Sequence, residues 1–125
     1  MIKILIVDDD QSLQRLYGLI LKDAGFEIIG TAINGKDAIE KYTTLEGKTD
    51  LILMDHRMPI KNGLDAMVEI LKINKKEKII FASADISVKQ KAISLGAVAF
   101  LDKPFKMQQL LITIQKIVKE LIIEH

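Results

Sequence analysis

The chain has 125 residues, with 18 Lys and Arg against 17 Asp and Glu, a formal net charge of +1, and neither Cys nor Trp. That length predicts one domain, and area scaling buries about two-thirds of the unfolded surface, enough for one core. Balanced charge argues against generic nucleic-acid binding, which needs a basic excess to displace counterions, and the lack of Cys excludes disulfides, thiolate metal sites and a cysteine nucleophile. No apolar run approaches the ~20 residues of a membrane span, and ILIV at 4–7, stopped by three Asp, is too short for a secretion signal.

Short apolar runs alternate with longer amphipathic ones along the chain. KILIV (3–7) reads as a buried strand. Residues 12–24 place Leu13, Leu16, Tyr17, Ile20 and Ala24 at helical spacing, and Gly25 stops that helix. EIIGTAI (27–33) reads as a second strand, Asn34-Gly35 as a turn, and a helix follows through Ala38, Ile39 and Tyr42. LILM (51–54) is a third strand, and LDAMVEILKI (64–73) a helix with Asn62 and Asp65 near its start. KIIFAS (78–83) is a fourth strand. Ser87-Val-Lys-Gln90 has the form of a capping box and opens a helix that stops at Gly96. AVAFL (97–101) is the fifth strand. The last helix, 106–124, carries Met107, Leu110, Leu111, Ile114, Ile117, Val118 and Leu121 on one face.

Five β-α units with apolar strands predict an α/β fold, a parallel sheet with helices on both faces. Right-handed crossovers bring every strand out at the same edge, where ligands bind in such folds. At that edge the sequence puts Asp8, Asp9 and Asp10 after strand 1 and Asp55-His56-Arg57-Met58-Pro59 after strand 3. Ser83-Ala84-Asp85 follows strand 4, and Asp102-Lys103-Pro104 follows strand 5. Carboxylates gathered there repel and raise each other's pKa unless a cation intervenes. A hard divalent ion with oxygen ligands fits, and Mg²⁺ is the one usually paired with phosphate chemistry. Asp8, Asp9 and Asp55 balance Mg²⁺ plus Lys103, and a phosphoryl group on one Asp takes that residue from −1 to about −2. A carboxylate can act as nucleophile toward a phosphoryl group, giving an acyl phosphate.

ILIVDDD, LILMDHRMPIKNG, IIFASA and AFLDKPF, in this order and at this spacing, resemble the receiver domain of two-component response regulators, of the single-domain chemotaxis and sporulation-regulator kind. The resemblance covers essentially the whole chain as one receiver, 1–125, with no output domain. It implies a flavodoxin-like sheet of order 2-1-3-4-5. It implies Asp55 as phosphoacceptor, Asp9 as direct Mg²⁺ ligand, Asp8 acting through water, and the Arg57 backbone carbonyl as a further ligand. Lys103 would pair with the acceptor and then with the phosphoryl group, and the Lys103-Pro104 bond would be cis. Ser83 would swing its hydroxyl toward the phosphate, and Phe100 holds the switch-aromatic position. The implied function is a cytoplasmic signalling domain, not an enzyme beyond its own phosphotransfer and slow autodephosphorylation. It would take its phosphoryl group from a sensor histidine kinase or histidine phosphotransfer protein on the helix 1 side. A downstream protein target or a dimer partner would bind the face of helix 4, strand 5 and helix 5, with no nucleic acid and no membrane involved. Two positions depart from the family: Asn62 stands where an acid is common, and Phe100 lacks the hydroxyl of a switch Tyr.

Several residues also have plainer readings. Asp10 is expected to cap helix 1, His56 to sit at the rim, and the Lys72–Lys78 run to be a solvated loop. Arg57 and Asp85, two residues beyond Asp55 and Ser83, carry opposite charges that could pair over the phosphoryl group and slow its loss. Ile112 and Ile123 lie on the face of the last helix opposite its core stripe, and helix 1 is apolar around Leu16, Leu19 and Leu21. A rival reading is a small haloacid-dehalogenase-type phosphatase with Asp8 as nucleophile, Asp10 as acid/base and Ser12 behind them. It lacks paired acids after strand 5 and gives DHRMP no role. A flavin module is weaker, because three Asp would repel the flavin phosphate.

Overall fold

The structure, a computed structural model, describes residues 1–124. β1 (Lys3–Val7), β2 (Glu27–Ala32), β3 (Leu51–Asp55), β4 (Ile79–Ser83) and β5 (Ala99–Asp102) alternate with α1 (Gln11–Asp23), α2 (Gly35–Thr44), α3 (Gly63–Ile73), α4 (Lys89–Leu95) and α5 (Met107–Glu124). All strand pairs are parallel and the order is β2-β1-β3-β4-β5. No helix among the described residues is long and apolar enough to cross a membrane.

The pleat divides the apolar runs between two cores. Leu5, Val7, Ile52, Met54, Ile79 and Phe81 point to one face and pack with α2, α3 and α4 through Tyr42, Met67, Ile70 and Ala92. Ile4, Ile6, Leu51, Leu53, Ile80 and Ala82 point to the other, against Tyr17 and Leu21 of α1 and Leu110, Ile114 and Ile117 of α5. The three central strands are buried along almost their whole length because both faces are covered, whereas the edge strands β2 and β5 are only partly buried. Each fully buried Leu or Ile contributes about 1.5–3 kcal/mol, so the central strands are the most firmly held frame on which an edge site can stand.

Local details differ from the expected pattern at three places. α1 turns Gln14, Tyr17 and Leu21 toward the sheet and leaves Leu16 43% and Leu19 70% exposed. Leu21 therefore belongs to the core and not to an apolar outer surface, and a polar residue takes a position the stripe gave to neighbours. Ser87 does not cap α4. Asp85 accepts from the Ser87 N–H and hydroxyl and caps a short 3-10 turn, Ile86–Val88, after which α4 begins at Lys89 with no side-chain cap. β5 begins at Ala99 rather than at residue 97, because Gly96, at φ 124°, closes α4 and Ala97 N–H still bonds back to the Ala92 carbonyl. Asn34 caps α2 directly, accepting from Asp37 N–H at 2.8 Å, and Asn62 caps α3 in the same way through Asp65 N–H at 2.9 Å.

Candidate functional site

β1, β3, β4 and β5 all end at the same carboxyl edge, and the residue that ends or follows each strand stands there. Asp8 follows β1, Asp55 ends β3, Ser83 ends β4 and Lys103 follows β5. One carboxylate oxygen each of Asp8, Asp9 and Asp55 lies within 4.8 Å of the others. Asp8 and Asp55 are buried at 2% and 8% exposure, while Asp9 is open to solvent. The Lys103 ammonium bridges the two buried acids, at 2.9 Å from Asp8 Oδ2 and 3.1 Å from Asp55 Oδ1. The second oxygen of Asp8 accepts from the Asp10 N–H at 2.9 Å. Asp10 itself caps α1, accepting from the N–H groups of Ser12 and Leu13. This is the capping role expected of it from the sequence.

Charges set in this way have predictable proton affinities. Burial pushes the Asp55 carboxyl up to about 6, against the pull of the Lys103 ammonium, and the charge of Asp8 adds to the rise. Burial also pulls the Lys103 ammonium down, but its hydrogen bond to Asp8 and the charges of Asp55 and Asp8 outweigh that, so the net shift is upward. The lysine stays charged. An all-oxygen donor set with one solvent-facing member and an under-neutralised buried carboxylate is what a hard divalent cation requires, so this cluster is able to bind Mg²⁺.

A second group of residues surrounds the acids. Ser83 is buried, and its hydroxyl accepts from the Asp85 N–H at 3.0 Å. The Arg57 side chain, 79% exposed, reaches the Asp85 carboxylate at 3.1 Å, so the loops after β3 and β4 are joined across the mouth of the site. The Ser87 and Arg57 hydrogen bonds hold the Asp85 carboxyl below its ordinary value. Phe100 is half-buried, stacks on Phe81 with ring centroids 6.0 Å apart, and has the Lys89 ammonium 6.0 Å from its own centroid. His56 is half-buried at the rim: its ring leans on Phe81 at 5.7 Å, its Nδ1 is buried without a hydrogen-bond partner, and burial pulls its pKa down. The Lys103-Pro104 peptide is cis.

Two glycines let the loop after β3 close on the site. A Cβ on Gly63 would stand 2.1 Å from the Asp55 carbonyl oxygen, and one on Gly35 would stand 2.5 Å from the Lys61 carbonyl oxygen. The backbone approach lets Gly63 N–H bond His56 O and Gly35 N–H bond Lys61 O, each at 2.9 Å. Any larger residue at Gly63 would push α3 away from the end of β3.

The family model of the response regulator receiver domain matches residues 4–115. The chain is a response regulator receiver domain. Among curated relatives, the chemotaxis protein CheY of Thermotoga maritima is 40% identical to it over 119 residues, covering 94% of this chain and 98% of the relative. The chemotaxis protein CheY of Bacillus subtilis is 40% identical over 116 residues, covering 91% and 95%. Among solved structures, the CheX–CheY–BeF3–Mg²⁺ complex from Borrelia burgdorferi is similar at TM-score 0.89 and 27% identity, over 94% of this receiver and 89% of that chain. The response regulator TrrA from Thermotoga maritima, in complex with Mg²⁺ and beryllium fluoride, is similar at TM-score 0.83 and 34% identity, over 93% and 98%. The receiver is a signalling domain of the two-component kind, and it brings together Asp8, Asp9, Asp55 and Lys103, with Ser83, Arg57 and Asp85 around them.

One residue at this edge of the receiver has no counterpart in the sequence reading. Gln14 is 9% exposed, and its Nε2 donates to the carbonyls of Asp8 at 2.7 Å and Ala32 at 2.8 Å. A period-breaking polar residue inside a helix stripe was the only available signal.

Proposed function

We propose that this receiver accepts a phosphoryl group on Asp55 from a phosphohistidine of a sensor histidine kinase or histidine phosphotransfer protein, docked on the α1 side. The observation that carries the proposal is the convergence of three carboxylates with Lys103 seated between the two buried ones. An Asp55 oxygen attacks phosphorus, the phosphorus–nitrogen bond breaks, and the histidine nitrogen keeps the electron pair. Asp55 suits the role because burial denies it solvent while Lys103 keeps it oriented. Asp8, Asp9, Asp55 and the Arg57 main-chain carbonyl would hold Mg²⁺, which when bound supplies neutralisation of the charge on the transferring group. Lys103 offers its ammonium to the new phosphoryl oxygens.

The response follows from the residues at rest. The Ser83 hydroxyl leaves the Asp85 N–H and turns to the phosphoryl oxygens. The loop after β4 shifts with it, and Phe100 leaves Lys89 and packs inward on the Phe81 side. The face built from α4, β5 and α5 then changes its affinity for a downstream protein or a second copy of the chain. A useful coupling is about 1–3 kcal/mol. The Arg57–Asp85 bridge screens the path of hydrolytic water and slows loss of the phosphoryl group. Acetyl phosphate with Mg²⁺, followed by reduction of the acyl phosphate and peptide mass mapping, tests the proposal. Label on Asp55 is the expected outcome, whereas label on Asp8 or a requirement for no divalent ion would refute it.

A further inference from the structure

We infer that Gln14 is a positioning residue for the acidic cluster: its carboxamide fixes the backbone of Asp8 before any cation arrives. The inference rests on the Mg²⁺ reading above and extends it to a residue outside the acids. Gln14 lies on the sheet-facing side of α1 with Tyr17 and Leu21, where an apolar residue would serve packing better. Both N–H groups of its carboxamide are spent on main-chain carbonyls, one on Asp8 and one on Ala32 at the end of β2. The Asp8 N–H bonds that same Ala32 carbonyl at 3.0 Å. The three residues therefore close a ring of hydrogen bonds. The opposite carboxamide orientation would point its oxygen at two carbonyl oxygens, so the geometry admits only the donating one.

The ring matters because of what Asp8 does at its other end. Its side-chain oxygens are held by the Asp10 N–H and the Lys103 ammonium, each at 2.9 Å. With the N–H tied to β2 and the C=O tied to α1, rotation of the Asp8 peptide groups is blocked, and the carboxylate is aimed at Asp9 and Asp55. Apart from Asp55, Asp8 is the only member of the cluster that is buried, so its direction is set by the protein and not by water. Groups that orient ligands in this way typically affect metal affinity about 10–100-fold when removed.

Gln14→Met keeps the length and shape of the side chain and removes both donors; Gln14→Asn keeps the carboxamide but withdraws it by one methylene. Leu21→Ala is the comparison, since it loosens the same helix face without touching the ring. Mg²⁺ alone is titrated calorimetrically into each unphosphorylated protein, with circular dichroism and urea melts as the measure of folding. The expected result is about tenfold weaker Mg²⁺ binding in both Gln14 variants, and binding within twofold of the parent in Leu21→Ala despite its lower stability. Parent-like Mg²⁺ affinity in the Gln14 variants overturns the inference alone, as does equal weakening in Leu21→Ala, which would make Gln14 a packing residue. Failure of the parent to bind Mg²⁺ at millimolar concentration overturns the metal reading and this inference together.

Discussion

Glu77→Gln tests the electrostatic reasoning where no ligand or partner complicates it. Glu77 precedes β4, at the edge of the sheet opposite the acids, and is only 5% exposed. Its Oε2 accepts from the Lys78 N–H at 2.9 Å, and its Oε1 is buried close to the Tyr42 hydroxyl. Burial pushes the Glu77 carboxyl up from 4.5 to about 7, opposed by the Lys78 N–H, with the charge of Asp50 adding to the rise. Burial and the charge of Glu77 push the Tyr42 hydroxyl up to about 12. In the unfolded chain Glu77 loses its proton near its ordinary value; in the fold it keeps it until about pH 7. Between those values the native state binds more protons, so stability falls as pH rises through the window. The span is worth about 3 kcal/mol once ionisation is complete. Gln preserves a carbonyl for the Lys78 N–H and never ionises. The expected outcome is a variant more stable than the parent by up to about 3 kcal/mol at pH 8, roughly 10 °C in Tm, with the advantage shrinking toward zero near pH 4.5. Urea melts followed by circular dichroism at pH 4.5, 6 and 8, without divalent ions, measure it. A pH-independent difference, or a parent that is the more stable at pH 8, would refute the reasoning.

Asp55→Asn follows the same logic at the site. The raised pKa means that ionised Asp55 opposes folding above about pH 6, so the metal-free variant should gain about 1–3 kcal/mol at pH 8 and lose all phosphoryl labelling by acetyl phosphate; a less stable variant at pH 8 counts against the burial argument. Arg57→Ala and Asp85→Ala should each shorten the phosphoaspartate half-life more than twofold; Arg57→Ala should leave stability nearly unchanged, as expected of an exposed pair, whereas Asp85→Ala also removes the cap of the 3-10 turn. Decay unchanged in both would show that the bridge does not screen the acyl phosphate.

The architecture was legible because short, continuous apolar runs alternate strictly with amphipathic helical stretches, which points to a parallel sheet covered on both faces. Asp8, Asp9, Asp55, Ser83 and Lys103 were legible for the same reason: each stands at or just past the last residue of a strand, and topology alone brings strand ends together. What stayed hidden depends on side-chain reach across the fold. Gln14 bonds β1 and β2 from a helix. Glu77 is an acid in a lysine run, where composition points to solvent, yet the start of β4 carries it inward. The stripe placed Tyr17 and Leu13 correctly against the core, but it missed Gln14 and Leu21 and took in Leu16, which is exposed, because the face is turned slightly once the sheet is in place. Asp85 displaced Ser87 as a cap because a carboxylate accepts from both the N–H and the hydroxyl of Ser87.

The rings of His56, Phe81 and Phe100 form a column from the residue after Asp55 to the β5 edge, with centroid spacings of 5.7 and 6.0 Å. At such separations each ring lies in the magnetic shielding cone of the next. The chain has no Trp, so tryptophan emission offers no view of the switch. Ring-current shifts in this column supply one. An inward move of Phe100 would displace the resonances of Phe81 and change the ring-current shift at the end of the Lys89 side chain, whose ammonium lies 6.0 Å from the Phe100 centroid. Both signals report on the same ring, so their concerted change would date the movement of Phe100 separately from the arrival of the phosphoryl group.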